Sequence, residues 1–310
     1  MHLLIPFASA LSEAGTHTLR ELRLPRLAEL LSRLQPTERF GSDDEYSPIL
    51  PHERALAASW GWPAGDVALP FAARAAAADG VEVGELAWGA LTPAHWHVGT
   101  DQVTLVDPAA LALDADESRA LFEAVRELFE SEGFTFAWGA PLRWYAAHES
   151  LVDLACASLD RVIGRNVDPW LPGQVQARLV RRLQNEVQML LYPHPINEAR
   201  EARGQPPVNS FWLSGCGRFQ IADEGTVQVD ESLRAPLLAD DWAAWAEAWR
   251  ALDAGVLATS LAHARDGEAV ALTLAGERYA QRFEQAPRTL LQRIAARWHG
   301  VEPHAVLEAL

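Results

Sequence analysis

Lysine is absent from this chain: every one of its 26 basic residues is Arg. Schiff-base chemistry needs a lysine amine and a Walker-type phosphate loop needs its lysine, so both are excluded. An anion here must be held by Arg, His or backbone N–H groups. Cysteine occurs twice, as Cys156 and Cys216, too few for a disulfide framework and suited to a reducing cytoplasm. No apolar run approaches the roughly 18 to 20 residues that a membrane-spanning helix needs. Positive charge is also scarce, with a formal net charge of −16, which argues against nucleic acid as a partner because phosphate contacts need a positive face. The one locally basic run, RLVRR at 178–182, reads as the solvated face of a helix. The opening MHLLIPFASAL has no Arg or Lys ahead of a short apolar run, so it reads as a buried first strand and not as an export signal. What remains is a cytoplasmic globular protein of 310 residues, 49% hydrophobic, long enough for one large core or two moderate ones.

The most informative stretch is 168–218. Val175, Leu179, Leu183, Val187 and Leu190/Leu191 recur at helical spacing and predict one apolar stripe. The helix should end at Tyr192, because Pro193 and Pro195 lack N–H donors and hold His194 extended between them. Asn197 suits an N-cap and Gly204 a C′ position, which puts Arg200 in the first turn of a short helix from Asn197 to Arg203. Asn209 to Leu213 then reads as a buried strand delivering Gly215-Cys216-Gly217-Arg218 at its carboxyl end. Cys216, between two glycines, reads as a small core residue.

This stretch contains HPIN-x-x-R-x-x-x-G-x-x-P-x-N-x-x-W-L-x-G-x-G from His194 to Gly217. That string resembles a block of the archaeal-type, cofactor-independent phosphoglycerate mutases of the alkaline phosphatase superfamily. The whole chain looks like a proteobacterial family known both as phosphoglycerate-mutase-like and as RpfE-type regulatory proteins. The resemblance implies an α/β fold: an alkaline-phosphatase-like core remnant, residues 1–80 and 146–310, with a smaller inserted αβ module at 81–145. It also implies two metal ions, Mn or Zn, with a first-strand Asp and a Ser-Asp pair in the site. Here the first strand ends Ile5-Pro6-Phe7 with no carboxylate, and Ser42-Asp43 is the candidate for the second motif. Gly139-Ala140-Pro141-Leu142-Arg143 matches a Gly-x-x-x-Arg stretch of the inserted domain, so Arg143 is carried over as a phosphate or carboxylate contact.

Elsewhere, Thr18–Leu34 reads as a helix interrupted by Pro25, residues 63–80 as an Ala- and Gly-rich crossing, and Ala115–Ser131 as a helix. Asp114 and Glu117 form a capping box for that helix. Strands are predicted at Leu86–Ala90, Gln102–Val106, Phe134–Trp138 and Ala269–Leu274, and a connecting helix at 146–167. Trp242, Trp245, Trp249 and Leu252 make a core stripe on a helix capped by Asp240 or Asp241. A short helix through Phe283 and helices at Thr289–Trp298 and Pro303–Leu310 complete the chain. His95 and His97 share a strand face but lack further ligands nearby, so no metal site is assigned to them.

Three functional readings stand side by side. One is a catalytically inactive relative, without cofactor, whose His194, Asn197, Arg200, Asn209 and Arg143 line a pocket for a small phosphorylated or carboxylated metabolite, or which binds a protein partner. The second is an active metal-dependent phosphomutase or phosphatase using Ser42. In the third, His194, Arg200 and Asn209 pin the Pro corners together and bind no ligand.

Overall fold

The structure is a computed structural model describing residues 1–63, 68–223, 227–285 and 301–310. In chain order its strands are β1 (His2–Ile5), β2 (Gln35–Gly41), β3 (Ala87–Ala94), β4 (Trp96–Val98), β5 (Val103–Leu105), β6 (Thr135–Ala140), β7 (Arg143–Ala147), β8 (Ser210–Arg218), β9 (Val227–Val229), β10 (Ala271–Ala275) and β11 (Tyr279–Glu284). The helices are α1 (Glu13–Glu21), α2 (Pro25–Arg33), α3 (Pro51–Ser59), α4 (Phe71–Ala78), α5 (Ala115–Glu130), α6 (Leu159–Val162), α7 (Ala177–Leu191), α8 (Pro195–Ala202), α9 (Arg234–Leu238), α10 (Trp242–Ala254) and α11 (Val256–Arg265), with a further helix at Pro303–Glu308. The fold is mixed α/β. It divides into two compact units, one of Met1–Glu45, Leu50–Ala64 and Ala222–Leu310, the other of Tyr46–Ile49 and Gly65–Ile221. Residues 146–221 and 65–80, assigned to the core from the sequence, thus group with the 81–145 module.

The first unit is built on a sheet of order β2-β11-β10-β1-β9, with β1 parallel to β10 and β9, and β11 antiparallel to its neighbours β10 and β2. A strand flanked by parallel partners is buried on both faces, which is why β1 reads as an unbroken apolar run. Leu3 and Ile5 pack with Leu27, Leu30, Trp245 and Trp249, while Leu4 turns the other way onto Ala55 of α3. The Trp stripe is core: Trp245 and Trp249 have no exposed surface, and successive rings of Trp242, Trp245 and Trp249 meet edge to face at 6.0 and 6.2 Å. Helix α2 has no side-chain cap of its own. The buried Asp253 of α10 supplies one, its Oδ1 accepting from the backbone N–H of Arg26 (3.1 Å) and Leu27 (2.9 Å).

The second unit carries an antiparallel sheet of order β6-β7-β3-β8 and a β4-β5 hairpin. Its α5 and α7 place Leu121, Phe122, Val125, Leu183 and Val187 on one face, against Leu91, Trp144, Phe211 and Leu213. Ala72, Ala73 and Ala76 of α4 cover the other face at Trp88, Tyr145 and Ala147. Small side chains let α4 lie close to β8. At Gly215 (φ +64°) a Cβ would sit 2.9 Å from the Ala72 backbone nitrogen, so both conformation and space call for glycine.

Several expectations are corrected. The 63–80 crossing contains the helix α4, because a run of alanines propagates a helix without needing a bulky stripe. The proposed 146–167 helix is a 3-10 turn at Glu149–Leu151 followed by an irregular stretch and the short α6. The segment through Phe283 is strand β11, where pairing with β10 and β2 overrides local helix propensity. Strand β8 extends to Arg218, so Cys216 sits within the strand, at the bulge where the register with β3 shifts, and not in a turn beyond it. The expected helix at Thr289–Trp298 lies outside the described residues.

Candidate functional site

The corner that follows α7 is built as the Pro spacing requires, with one displacement. His194 is extended (φ −75°, ψ 132°) and is itself the N-cap of α8, its Nδ1 accepting from the Ile196 N–H at 3.3 Å, with Pro195 in the first turn. Asn197 is therefore not the cap, and Arg200 falls in the last turn and not the first. Pro195 needs no N–H partner at that position, which favours a cap three residues earlier than the Asn rule suggests.

Asn197 is buried and faces the chain that returns from α8. Its Nδ2 donates to the carbonyls of Leu191 and Val208, both at 2.8 Å, and its Oδ1 accepts from the Val208 N–H at 2.9 Å. Arg200 has no exposed surface. Its guanidinium donates to the Pro206 carbonyl (3.1 Å), the Leu111 carbonyl (2.5 Å) and Glu117 Oε2 (2.5 Å). Glu117 accepts from Arg203 as well. The capping box is thus half formed: Asp114 accepts from the Glu117 N–H at 2.8 Å, but the Glu117 carboxylate turns away to the two arginines. Asn209 pairs with both backbone groups of Trp96, accepting from its N–H at 2.8 Å and donating to its carbonyl at 3.0 Å, and so substitutes for a strand residue. His95 adds a bond from Nδ1 to the Pro207 carbonyl at 2.8 Å. A carbonyl only accepts, so that nitrogen carries the proton. Glu117 and His95 are members of this corner that sequence reasoning did not place there.

Arg143 lies elsewhere in the same unit. On β7 it shares a face with Tyr145, the side covered by α4, whereas Glu117 and Arg200 belong to the α5 side. Arg143 makes a bidentate pair with Asp79, both bonds 2.8 Å, and Tyr145 donates to Asp79 Oδ2 at 2.7 Å. Gly139 makes room for this cluster, since a Cβ there would lie 2.4 Å from Asp79 Oδ2. The Arg143 guanidinium holds the Asp79 carboxyl below its ordinary range. Burial, and the bond to Asp79, push the Tyr145 phenol up. Asn197, Arg200 and Asn209 therefore share one corner with His194, and Arg143 does not join them.

In the first unit, β1, β2, β9 and β10 run in the same direction, so their carboxyl ends share one edge of the sheet. Open α/β sheets hold ligands along that edge. Here β1 runs into Pro6 and Phe7, a nearly buried residue at φ +59° whose carbonyl accepts from Trp245 Nε1 at 3.1 Å and whose ring lies 5.2 Å from His52. After β10, Gly276 backs onto Leu310, where a Cβ would come within 2.9 Å of the Leu310 side chain. Ser42 follows β2, is exposed, and accepts from the Asp44 N–H at 3.3 Å. Two strands, β11 and β10, separate β2 from β1, which sets β2 and β1 about 14 Å apart at the usual strand spacing, and Ser42 lies just past the β2 end. Among the described residues no three His, Cys, Asp or Glu side chains gather closely enough to hold a metal ion. Those residues do not supply the ligand set that a two-metal centre needs.

No family model matches the chain. It is similar to the 2,3-bisphosphoglycerate-independent phosphoglycerate mutase of Methanosarcina barkeri, 26% identical over 113 residues, which cover 36% of this chain and 28% of that enzyme. The corresponding enzyme of Methanosarcina mazei is 24% identical over 122 residues, 39% of this chain and 31% of its own length. The likeness thus spans about three tenths of these curated relatives. Among solved structures, the cofactor-independent phosphoglycerate mutase from Thermoplasma acidophilum aligns over 100% of this chain and 98% of its own at 14% identity and a TM-score of 0.36. The PH0037 protein from Pyrococcus horikoshii aligns over 98% and 91% at 12% identity and a TM-score of 0.48. Both scores are below the level from which a shared fold follows. The sequence relationship to the mutases is weak and partial.

Proposed function

We propose that this chain is a catalytically inactive, phosphoglycerate-mutase-like protein of the cytoplasm that acts by binding, as a regulatory protein. The observation that carries the proposal is the carboxyl edge of the first sheet. The β1 end offers the Phe7 side chain in place of a carboxylate, and Ser42 lies past the end of β2, two strands removed from β1, where its hydroxyl accepts from the Asp44 N–H. A phosphoryl transfer needs its nucleophile, its charge-stabilising groups and its base within a few ångströms of one another. The ligand proposed is a small phosphorylated or carboxylated metabolite, or a protein partner presenting such a group. Arg143 is the contact proposed for it, since its side chain is 46% exposed and an incoming anion can compete with Asp79 for its planar fork. For the His194–Asn209 corner we propose a structural role, because Asn197, Arg200 and Asn209 spend their hydrogen bonds on the chain itself.

The test is incubation of the purified chain with 3-phosphoglycerate and added Mn²⁺ or Zn²⁺, following isomer formation and free phosphate, alongside thermal shifts with the same compound. The expected result is unchanged phosphoglycerate and a shift that is lost in Arg143→Gln. Turnover that disappears in Ser42→Ala would overturn the proposal.

A further inference from the structure

Cys156 and Cys216 are the chain's two cysteines, and the binding proposal uses neither. Although 60 positions apart, their Sγ atoms lie 3.5 Å from each other inside the second unit. Cys216 stands on β8 and is 1% exposed; Cys156, at 8%, lies in the irregular stretch between the Glu149–Leu151 turn and α6. That stretch is tied alongside the strand. The Trp212 indole N–H of β8 donates to the Ala157 carbonyl at 2.8 Å, and the Ser158 N–H donates to the Pro48 carbonyl at 2.9 Å.

We infer that Cys156 and Cys216 form an intramolecular disulfide when the protein meets a hydroperoxide, which makes the pair a reversible oxidation site. The Cys156 sulfur attacks one peroxide oxygen, the O–O bond breaks, and an alcohol or water leaves, giving a sulfenic acid. The Cys216 sulfur then attacks the sulfenic sulfur, the S–O bond breaks, and the hydroxyl departs as water with the Cys216 proton. Two electrons pass from the sulfurs to the peroxide, and the S–S bond is the product. Closing from 3.5 Å to a disulfide length of about 2.05 Å takes an approach of about 1.5 Å. On the β8 side little movement is available, because Gly215 is already packed against the Ala72 backbone. The approach therefore has to come from the stretch around Cys156, which lies outside any helix or strand and would shift against the Trp212–Ala157 bond. The order of events follows from accessibility. Cys156 keeps some exposed surface, whereas the Cys216 thiol is pushed well up by its bond to Cys156 and by burial, and stays protonated until its neighbour is oxidised.

The experiment treats the full chain with hydrogen peroxide, then denatures it and alkylates with iodoacetamide before intact and peptide mass spectrometry. Expected are simultaneous loss of both alkylation sites, a mass about 2 Da below that of the reduced, unalkylated chain, a peptide linking 156 to 216, and full reversal by dithiothreitol. Thermal unfolding of the oxidised chain should move to higher temperature, and Cys156→Ser should leave Cys216 fully alkylated after the same treatment. Two thiols still alkylated after peroxide would overturn the inference. So would a Cys156 that stops at sulfinic acid beside a free Cys216, or a covalent dimer.

Discussion

Arg200 illustrates what a residue type in a sequence can and cannot say. Its position before a Pro corner marked it as important, and so did those of Asn197 and Asn209. Yet beside the nearby Pro206 carbonyl its partners are the Leu111 carbonyl and Glu117, 89 and 83 positions away, and no local pattern points to those two. Glu117 looked like the second half of a capping box because its spacing from Asp114 is right; the buried cation competes for it and wins, since a charge without a partner costs more in the interior than a lost cap. At the same scale His2 gives a pH dependence. Burial, with the nearby positive charge of Arg282 second, lowers its pKa from 6.5 to about 4, and its Nε2 meets Thr273 Oγ1 at 2.9 Å. The unfolded chain then takes up a proton near pH 6.5 that the folded chain refuses until about pH 4, so this contribution is complete above pH 6.5 and is lost as pH falls through that window. Urea midpoints measured from pH 7.5 downward should fall less steeply between those values in His2→Gln than in the parent. Equal slopes would contradict the assignment.

Among the elements, those with strong periodicity were legible. The α5 helix and the Trp helix α10 stand where their spacing puts them, and so does most of α7; its stripe keeps Leu183, Val187 and Leu191, but Val175 lies before the helix and is exposed, and Ala177 and Val180 fill the buried face where Leu179 was expected. Elements defined by pairing were not. Strand β2 is mostly polar and exposed, and its place at the sheet edge beside β11 depends on a partner far along the chain. Helix α4 is almost featureless in sequence because its alanines answer to the flat surface of Trp88 and Tyr145. Helix α2 shows the same dependence at its start, where the missing local cap is replaced by Asp253 from α10. Asp253→Ala removes the acceptor for two helix N–H groups, one of them buried, and should cost about 1 to 3 kcal/mol. Asp253→Asn, which keeps an acceptor oxygen, should lose markedly less. Equal urea midpoints for the parent and Asp253→Ala would remove the cap from the account.

At the scale of the molecule, two moderate cores were within what the length and composition allowed, and the α/β class was what the resemblance of the 194–217 block implied. The boundaries were harder to see. Nothing in the composition marks residue 146 or residue 221 as an edge, because the grouping is set by which sheet a strand joins: β8 pairs with β3, while β1 lies between β9 and β10. The central claim is the proposal that the block from His194 to Asn209, which resembles the mutases, serves the fold. Its most direct test is urea unfolding of Arg200→Ala against the parent. The account expects the variant to lose about 1 to 3 kcal/mol, because two buried backbone carbonyls lose their donor and Glu117 keeps only Arg203. A variant that unfolds at the parent's midpoint while losing its thermal shift with 3-phosphoglycerate would contradict it and make Arg200 a ligand contact.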